Sequence, residues 1–126
     1  MRALAAIATA LPTDDSAWGA ALAAERAAFQ TSDRFYDANV RPAVASHNAG
    51  SGSFDAVVEQ EEAWSPYNSA HADAINALIL TPAPSLEAVT HKLRLGIEHW
   101  VFDGSSQSLE MVSVIADDID RLGGRA

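Results

Sequence analysis

The chain has no cysteine, and this absence excludes several classes of chemistry together. Disulfides, thiolate zinc sites and cysteine nucleophiles all require a thiol, so any metal would have to be bound by histidine and carboxylates. Basic residues are also scarce, with 8 Lys and Arg against 17 Asp and Glu and a formal net charge of −9. A field of that sign repels phosphate backbones and anionic lipid surfaces. We therefore expect neither nucleic acid nor a membrane as a partner.

Long hydrophobic runs are missing as well. No apolar run approaches the roughly 18 residues that a membrane-spanning helix needs. Residues 1–11 are Ala-rich and carry one positive charge at Arg2, but they match a signal peptide poorly because the run is short and stops at Pro12. We expect a cytoplasmic protein in which residues 1–14 form a loosely ordered N-terminal arm. The sequence leaves open whether residues 1–11 are cleaved.

Strand patterns are the third absence, since no stretch alternates apolar and polar residues with β-branched enrichment. Apolar spacings of three and four residues instead predict helices over roughly 15–41, 55–80, 85–102 and 105–122. Residues 42–54 are rich in Gly, Ser and Asn and predict a long flexible loop. We therefore predict an all-α fold, an antiparallel helical bundle of about four helices in a single domain, 1–126.

Each predicted helix carries an apolar stripe that we expect to face the core. On the first helix the stripe consists of Trp18, Leu22, Phe29, Tyr36 and Val40. On the third and fourth helices the stripes are Leu86, Val89, Leu93, Ile97 and Trp100, and Leu109, Val112, Ile115, Ala116, Ile119 and Leu122. Further apolar residues lie outside these stripes and predict a second apolar face, namely Leu95, Met111 and Val114.

Prolines mark two joints in the helical pattern. Thr81-Pro82-Ala83-Pro84-Ser85 ends one helix and begins the next, because proline cannot continue a helix and Ser85 is a favoured N-cap. Pro66 has two interpretations. Either Ser65 caps a fresh helix with Pro66 at its first position, or an acidic helix runs into Pro66 with a kink.

Several short segments follow one another along the chain in a recognisable order: Leu11-Pro12, Trp18 with Ala20–Ala23, Ala27-Ala28-Phe29, Ala63-Trp64, Thr81–Leu86 with Lys92-Leu93, and Asp-Ile-Asp-Arg-Leu at 118–122. In this order the chain resembles a family of short, Ala-rich, uncharacterised helical proteins encoded in bacterial genomes. The Thr-Pro-Ala-Pro joint and the helix start after it are the most specific part. The resemblance implies the helical fold, and it implies no activity, ligand or catalytic residue.

One pair of residues is the first candidate for a site. Glu25 lies on the inner stripe of the first helix, and His71 holds a comparable place on the second, so two antiparallel helices would bring them together. A Glu with a raised pKa and an oriented imidazole suit acid–base work, a ligand pocket with Tyr36 nearby, or a metal. A buried Glu–His pair can equally serve structure alone by fixing the register of the helices.

Other polar clusters indicate solvated surfaces. Glu87, His91, Arg94 and Glu98 group on one side of the third helix, away from its apolar stripe, as expected for i,i+4 pairing in water. The acidic runs at 59–62 and 117–120 match no calcium-loop spacing, and no Glu-x-x-His motif, nucleophile elbow or phosphate-binding glycine loop occurs. We therefore predict no catalytic residue, no metal and no cofactor.

The sequence favours two hypotheses about function. The first is a small, acidic, non-enzymatic helical protein that acts through protein–protein contact or self-association, as a homodimer or with another protein. The alternative is a helical bundle that binds a small ligand or metal at the buried pair of Glu25 and His71.

Overall fold

A computed structural model describes residues 12–123 of the chain, with side chains from Ser16 onward. The helices are α1 (Pro12–Phe35), α2 (Arg41–Asn48), α3 (Phe54–Leu80), α4 (Leu86–Glu98) and α5 (Ser106–Gly123), and a π-helical segment, Tyr36–Val40, joins α1 to α2. No strand occurs within the described residues, which confirms the all-α prediction. Of the N-terminal arm predicted for residues 1–14, residues 12–14 are part of α1, and the expectations for residues 1–11 lie outside the described part of the chain.

The long flexible loop predicted near 42–54 was wrong over most of its length, because residues 41–48 are helical. Pro42 does not end the helix, since it follows the π-helical turn, where the Arg41 N–H donates to the Tyr36 carbonyl, five residues back. A π turn shifts the hydrogen-bond register, so Pro42 takes the first turn of a new helical segment, where its missing N–H matters little. The connection shrinks to residues 49–53, with Gly50 in the left-handed region at φ 82°.

The second predicted helix is present as one continuous element through Pro66. The structure therefore has no fresh helix capped by Ser65. Proline removes the hydrogen bond to the carbonyl four residues earlier, that of Glu62. Glu62 and Pro66 are both exposed, so water can satisfy the freed carbonyl and α3 can continue.

The predicted joint at 81–85 lies between α3 and α4, and its cap is confirmed by the Ser85 hydroxyl, which accepts from the Ala88 N–H at 3.2 Å. Likewise Ser105 caps α5, because its hydroxyl accepts from the Ser108 N–H at 3.2 Å. Ala83, in the middle of the joint, is almost fully buried. The joint thus inserts Ala83 into the core, while Pro82 beside it stays exposed.

The described residues fall into two compact units. Unit 1 contains residues 12–23 and 75–123, and unit 2 contains Ala24–Ala74. The main hydrophobic core lies in unit 1, where α4 contacts α5. Its buried members are Trp18, Ile75, Leu78, Ile79, Ala83, Ala88, Val89, Leu95, Met111 and Ile115.

The core faces predicted for α4 and α5 were largely wrong. Leu95 and Met111, predicted to form a second face, are buried in the core. Of the predicted stripe on α4 only Val89 is buried, and on α5 only Ile115 is fully buried. Both helices have apolar residues on two adjoining sides, and packing within unit 1 selects the side that holds the smaller residues and Met111.

Candidate functional site

Glu25 and His71, the pair singled out by the sequence, meet in unit 2. The His71 Nε2 and the Glu25 Oε2 are 2.7 Å apart, and each residue is only 6% exposed. At this distance the two side chains are joined by a short hydrogen bond. The contact joins residues 46 positions apart in sequence, so it fixes the register of α3 against the second half of α1.

The surroundings of this pair show how the two helices run. The Phe29 ring lies 5.4 Å from the His71 ring, and the Trp64 indole N–H donates to the Ser32 hydroxyl at 2.9 Å. Contacts move toward the start of α3 as they move toward the end of α1, so the helices are antiparallel within unit 2. Polar groups inside this unit are paired through side chains from both helices, as burial requires.

Tyr36, the third candidate, lies at a different level of unit 2. It begins the π-helical segment, 11 residues after Glu25, which corresponds to about 16 Å along a helix axis. Its ring packs edge-on against Trp64 at 5.1 Å, and the Arg41 guanidinium lies 5.3 Å from the ring centroid. The structure therefore brings Glu25 and His71 together and places Tyr36 elsewhere.

Metal-binding chemistry finds little support in the described residues. Within 12–123 no group of three or more His, Asp and Glu side chains is arranged to hold a metal ion.

The polar cluster predicted to be a solvated face lines a shallow cavity of about 330 Å³, formed by Glu87, Thr90, His91 and Arg94. His91 is half-buried there, with its ring edge-on to the Trp18 indole at 6.4 Å.

A second buried ion pair lies in unit 1, and sequence reasoning missed it. Lys92, the only lysine in the sequence, is 0% exposed, and its Nζ lies 2.6 Å from the Asp118 Oδ2. Burial lowers the pKa of the Lys92 ammonium below its ordinary value, and the Asp118 carboxylate opposes that shift. The sequence signal for the burial of Lys92 is its position, because it lies three residues after Val89 and three before Leu95, both core residues.

Asp118 also connects the pair to the joint between α3 and α4. Its Oδ1 accepts from the Ala83 N–H at 3.0 Å and from Arg121, whose guanidinium also donates to the Ala83 carbonyl. One carboxylate therefore satisfies a buried backbone donor and two cations. This network explains how a proline-rich segment can be buried without leaving its Ala83 polar groups unpaired.

Two exposed apolar stripes are the other prominent feature of unit 1. The most exposed side chains are Trp100 at 85%, Ile97 at 68% and Leu109 at 66%. The stripes consist of Leu86, Leu93, Ile97 and Trp100 from α4 and the turn after it, and of Leu109, Val112 and Ile119 from α5. Isolated exposed apolar residues are ordinary on protein surfaces, but seven large ones on two contacting helices indicate an interaction surface.

Trp100 has an unusual backbone conformation. Its φ is 57°, and it is the only residue other than glycine with a positive φ among residues 12–123. The Val101 N–H donates to the Gly96 carbonyl at 3.0 Å, which closes a Schellman motif and places Trp100 at the position that usually holds glycine. Holding a non-glycine residue there costs about 1–2 kcal/mol.

An apolar groove lies beside this tryptophan. It encloses about 270 Å³ and is lined by Gly96, Ile97, Trp100 and Phe102. Gly96 is required there, because a Cβ atom at this position would come within 2.3 Å of the Phe102 ring. The groove and the exposed tryptophan thus form one structural unit at the end of α4.

Comparison with protein-family models, curated proteins and solved structures gives no match. The resemblance to a family of Ala-rich bacterial helical proteins therefore stays a prediction. Among residues 12–123 no helix is both long enough and apolar enough to cross a membrane.

Proposed function

We propose that this chain is a small non-enzymatic helical protein that works by self-association through the two exposed stripes of α4 and α5. The observation that carries the proposal is which side of each of these two helices is buried and which side is exposed. Each buries a side that contains a charged residue, Lys92 or Asp118, while seven large apolar side chains remain in water. Exposed apolar surface promotes association, because burying it against a partner removes it from water.

The size of the exposed surface supports a second copy of the chain as the partner. The seven residues are between 38% and 85% exposed, and a standard interface buries ~800 Å² on each partner. A symmetric pair needs only one surface, because the same residues occur on both copies. We place this function in the cytoplasm and expect no cofactor, since the chain lacks cysteine and carries no cofactor motif.

Size-exclusion chromatography with light scattering at micromolar concentration tests this proposal. We expect the wild type to run as a dimer or larger and Ile97→Glu with Leu109→Glu to run as a monomer with unchanged helix content. Phe54→Glu is the matched control, because Phe54 is also a large exposed apolar residue but lies in unit 2. A monomeric wild type would sink the proposal, and so would a double variant that still associates.

Salt dependence separates self-association from binding to a basic partner. Two copies that each carry a net charge of −9 repel one another, so added salt should strengthen their association by screening. A complex with a basic protein would weaken in salt instead. We expect the dissociation constant of the dimer to decrease as the salt concentration is raised from about 0.05 to about 0.5 M.

We propose ligand binding at Glu25 and His71 as a second candidate function, favoured by their 2.7 Å contact inside unit 2. The pair offers hydrogen-bonding groups to a small polar ligand, or an imidazole nitrogen and a carboxylate oxygen as ligands to a metal ion. Metal analysis and a thermal-shift screen on the wild type, Glu25→Gln and His71→Ala would test it. If both variants lose stability and no metal or ligand shifts the wild type, the pair is structural.

A further inference from the structure

At the end of α4, Trp100 has a strained backbone conformation, although its side chain contributes little to the core of the monomer. Trp100 occupies the left-handed position of a Schellman motif, where glycine is free of strain, and its side chain is 85% exposed. Neither the backbone conformation nor the core therefore accounts for an indole at this place. Backbone strain at a residue that adds no stabilising contact within the monomer points to a role of that residue in binding.

The groove next to Trp100 has the right size and chemistry for an aromatic ring. Its volume of about 270 Å³ exceeds the ~150 Å³ of an apolar cavity that holds benzene. Ile97, Phe102 and the Trp100 ring itself form its apolar walls, and the Phe102 ring packs directly against the Gly96 backbone. Each copy of the chain therefore presents both an exposed indole and a place that accepts one.

We infer that Trp100 is the anchor of self-association, with the indole of each copy seated against the groove of a second copy. This inference rests on the proposed function and names the contact that carries it. A tryptophan that moves from water into an apolar groove at the centre of an interface has the properties of a binding hot spot. A two-fold arrangement makes the contact twice, because the anchor of one copy meets the groove of the other.

Charges beside the groove fit the same arrangement. Arg94 and Glu98 lie on the exposed surface of α4, next to the stripe that contains Ile97. If two α4 helices meet in antiparallel orientation, the Arg94 of one copy faces the Glu98 of the other. Opposite charges at the rim of an apolar contact fix its register more than they add affinity.

The substitution Trp100→Gly gives a test with two readouts of opposite sign. Glycine relieves the backbone strain, so the denaturation midpoint of the monomer, measured below the dissociation constant, should rise. Loss of the anchor should weaken self-association by about 30-fold, as measured by analytical ultracentrifugation. Phe54→Ala, which removes an exposed aromatic side chain from unit 2, should change neither readout substantially.

Labelling with 5-fluorotryptophan observes the anchor directly. The chain has three tryptophans, so ¹⁹F NMR should give three signals, and Trp100→Phe identifies one of them. We expect that signal to shift as the protein concentration passes through the dissociation constant, while the signals of Trp18 and Trp64 stay in place. A Trp100 signal that does not respond in an associating protein would overturn the inference.

The failures of the two proposals are distinguishable. A wild type that stays monomeric up to high micromolar concentration overturns self-association and the anchor together. A wild type that associates, with Trp100→Gly associating equally well, overturns the anchor alone. A Trp100→Gly variant that is less stable than the wild type removes the strain argument, and Trp100→Asn, which also tolerates the left-handed conformation, then serves as the check.

Discussion

Each of the two units contains one buried ion pair, and the two pairs are built differently. In unit 1 the fully buried Lys92 and Asp118 belong to a network that also includes Arg121 and the backbone of Ala83. In unit 2 Glu25 meets His71, whose imidazole can be neutral or charged. A buried lysine that loses its partner is left with an unpaired charge or has to release its proton, whereas a histidine can be accommodated as a neutral imidazole.

This difference suggests different purposes. The lysine pair holds the joint between α3 and α4 against α5, so it determines how the elements of unit 1 fit together. The histidine pair joins α1 to α3 inside unit 2, and histidine is the side chain that most often acts as a general acid or base. Unit 1 therefore uses its buried charge for architecture, and unit 2 holds the group that is better suited to proton chemistry.

The largest effect should follow from Asp118→Ala. This change leaves the Lys92 ammonium buried and the Ala83 N–H unpaired, so we expect the free energy of unfolding to fall by about 3–5 kcal/mol. Urea denaturation followed by circular dichroism measures it. Asp117→Ala is the control, because that neighbouring residue is exposed and its loss should change stability by less than about 0.5 kcal/mol. Equal effects in both variants would contradict the network.

Glu25→Ala should have a smaller effect than Asp118→Ala. The His71 imidazole can then remain neutral, and we expect a loss of about 1–3 kcal/mol for an unsatisfied polar group. The double substitution Glu25→Leu with His71→Phe, which removes both polar groups, should recover much of that loss. If Glu25→Ala lowered the free energy of unfolding as much as Asp118→Ala, the two pairs would stabilise the fold equally and the comparison would fail.

The pH dependence of stability should separate the pairs further. Because the pKa of Lys92 is lower in the folded protein, the unfolded chain binds more protons between the folded-state pKa and the ordinary value of 10.5. Stability contributed by this group therefore rises as the pH increases through that window. Relative to Lys92→Met, the wild type should become more stable toward pH 10.5 in urea denaturation, and a constant difference would contradict the pKa shift.

The smallest effect should come from Asp103, an exposed carboxylate that serves as a reference for the buried ones. The Ser105 N–H donates to it at 3.0 Å and holds the pKa of Asp103 below its usual range. This contribution is present above the ordinary pKa of about 4 and is lost as the pH falls through the folded-state value. Asp103→Asn should therefore reduce the acid dependence of stability slightly, as measured by thermal melts between pH 2 and 5.

Local chemistry made the architecture predictable from the sequence. The joint at 81–85 and the caps Ser85 and Ser105 depend on neighbouring residues, so they can be read without knowing the fold. The contact between Glu25 and His71 was predicted because each polar residue interrupts an apolar stripe. A polar residue in a buried apolar stripe needs a polar partner, and α1 and α3 each contain one such residue.

The remaining features depend on choices that a single helix does not encode. α4 and α5 are apolar on two sides, and only the packing in unit 1 decides that Leu95 is buried and Ile97 is not. Lys92 was missed because lysine is seldom buried without a partner, and its partner lies 26 residues away. The end of the first helix near residue 41 was predicted wrongly because a π turn leaves no mark in hydrophobic periodicity.

The burial of the only lysine has a consequence for chemical labelling. No lysine amine of this sequence is available on the surface of the folded protein, so amine-directed reagents and acyl-transfer enzymes meet at most the terminal amine. Lys92 becomes reactive only when unit 1 opens. The rate of its acylation therefore reports the opening of the core at a single atom.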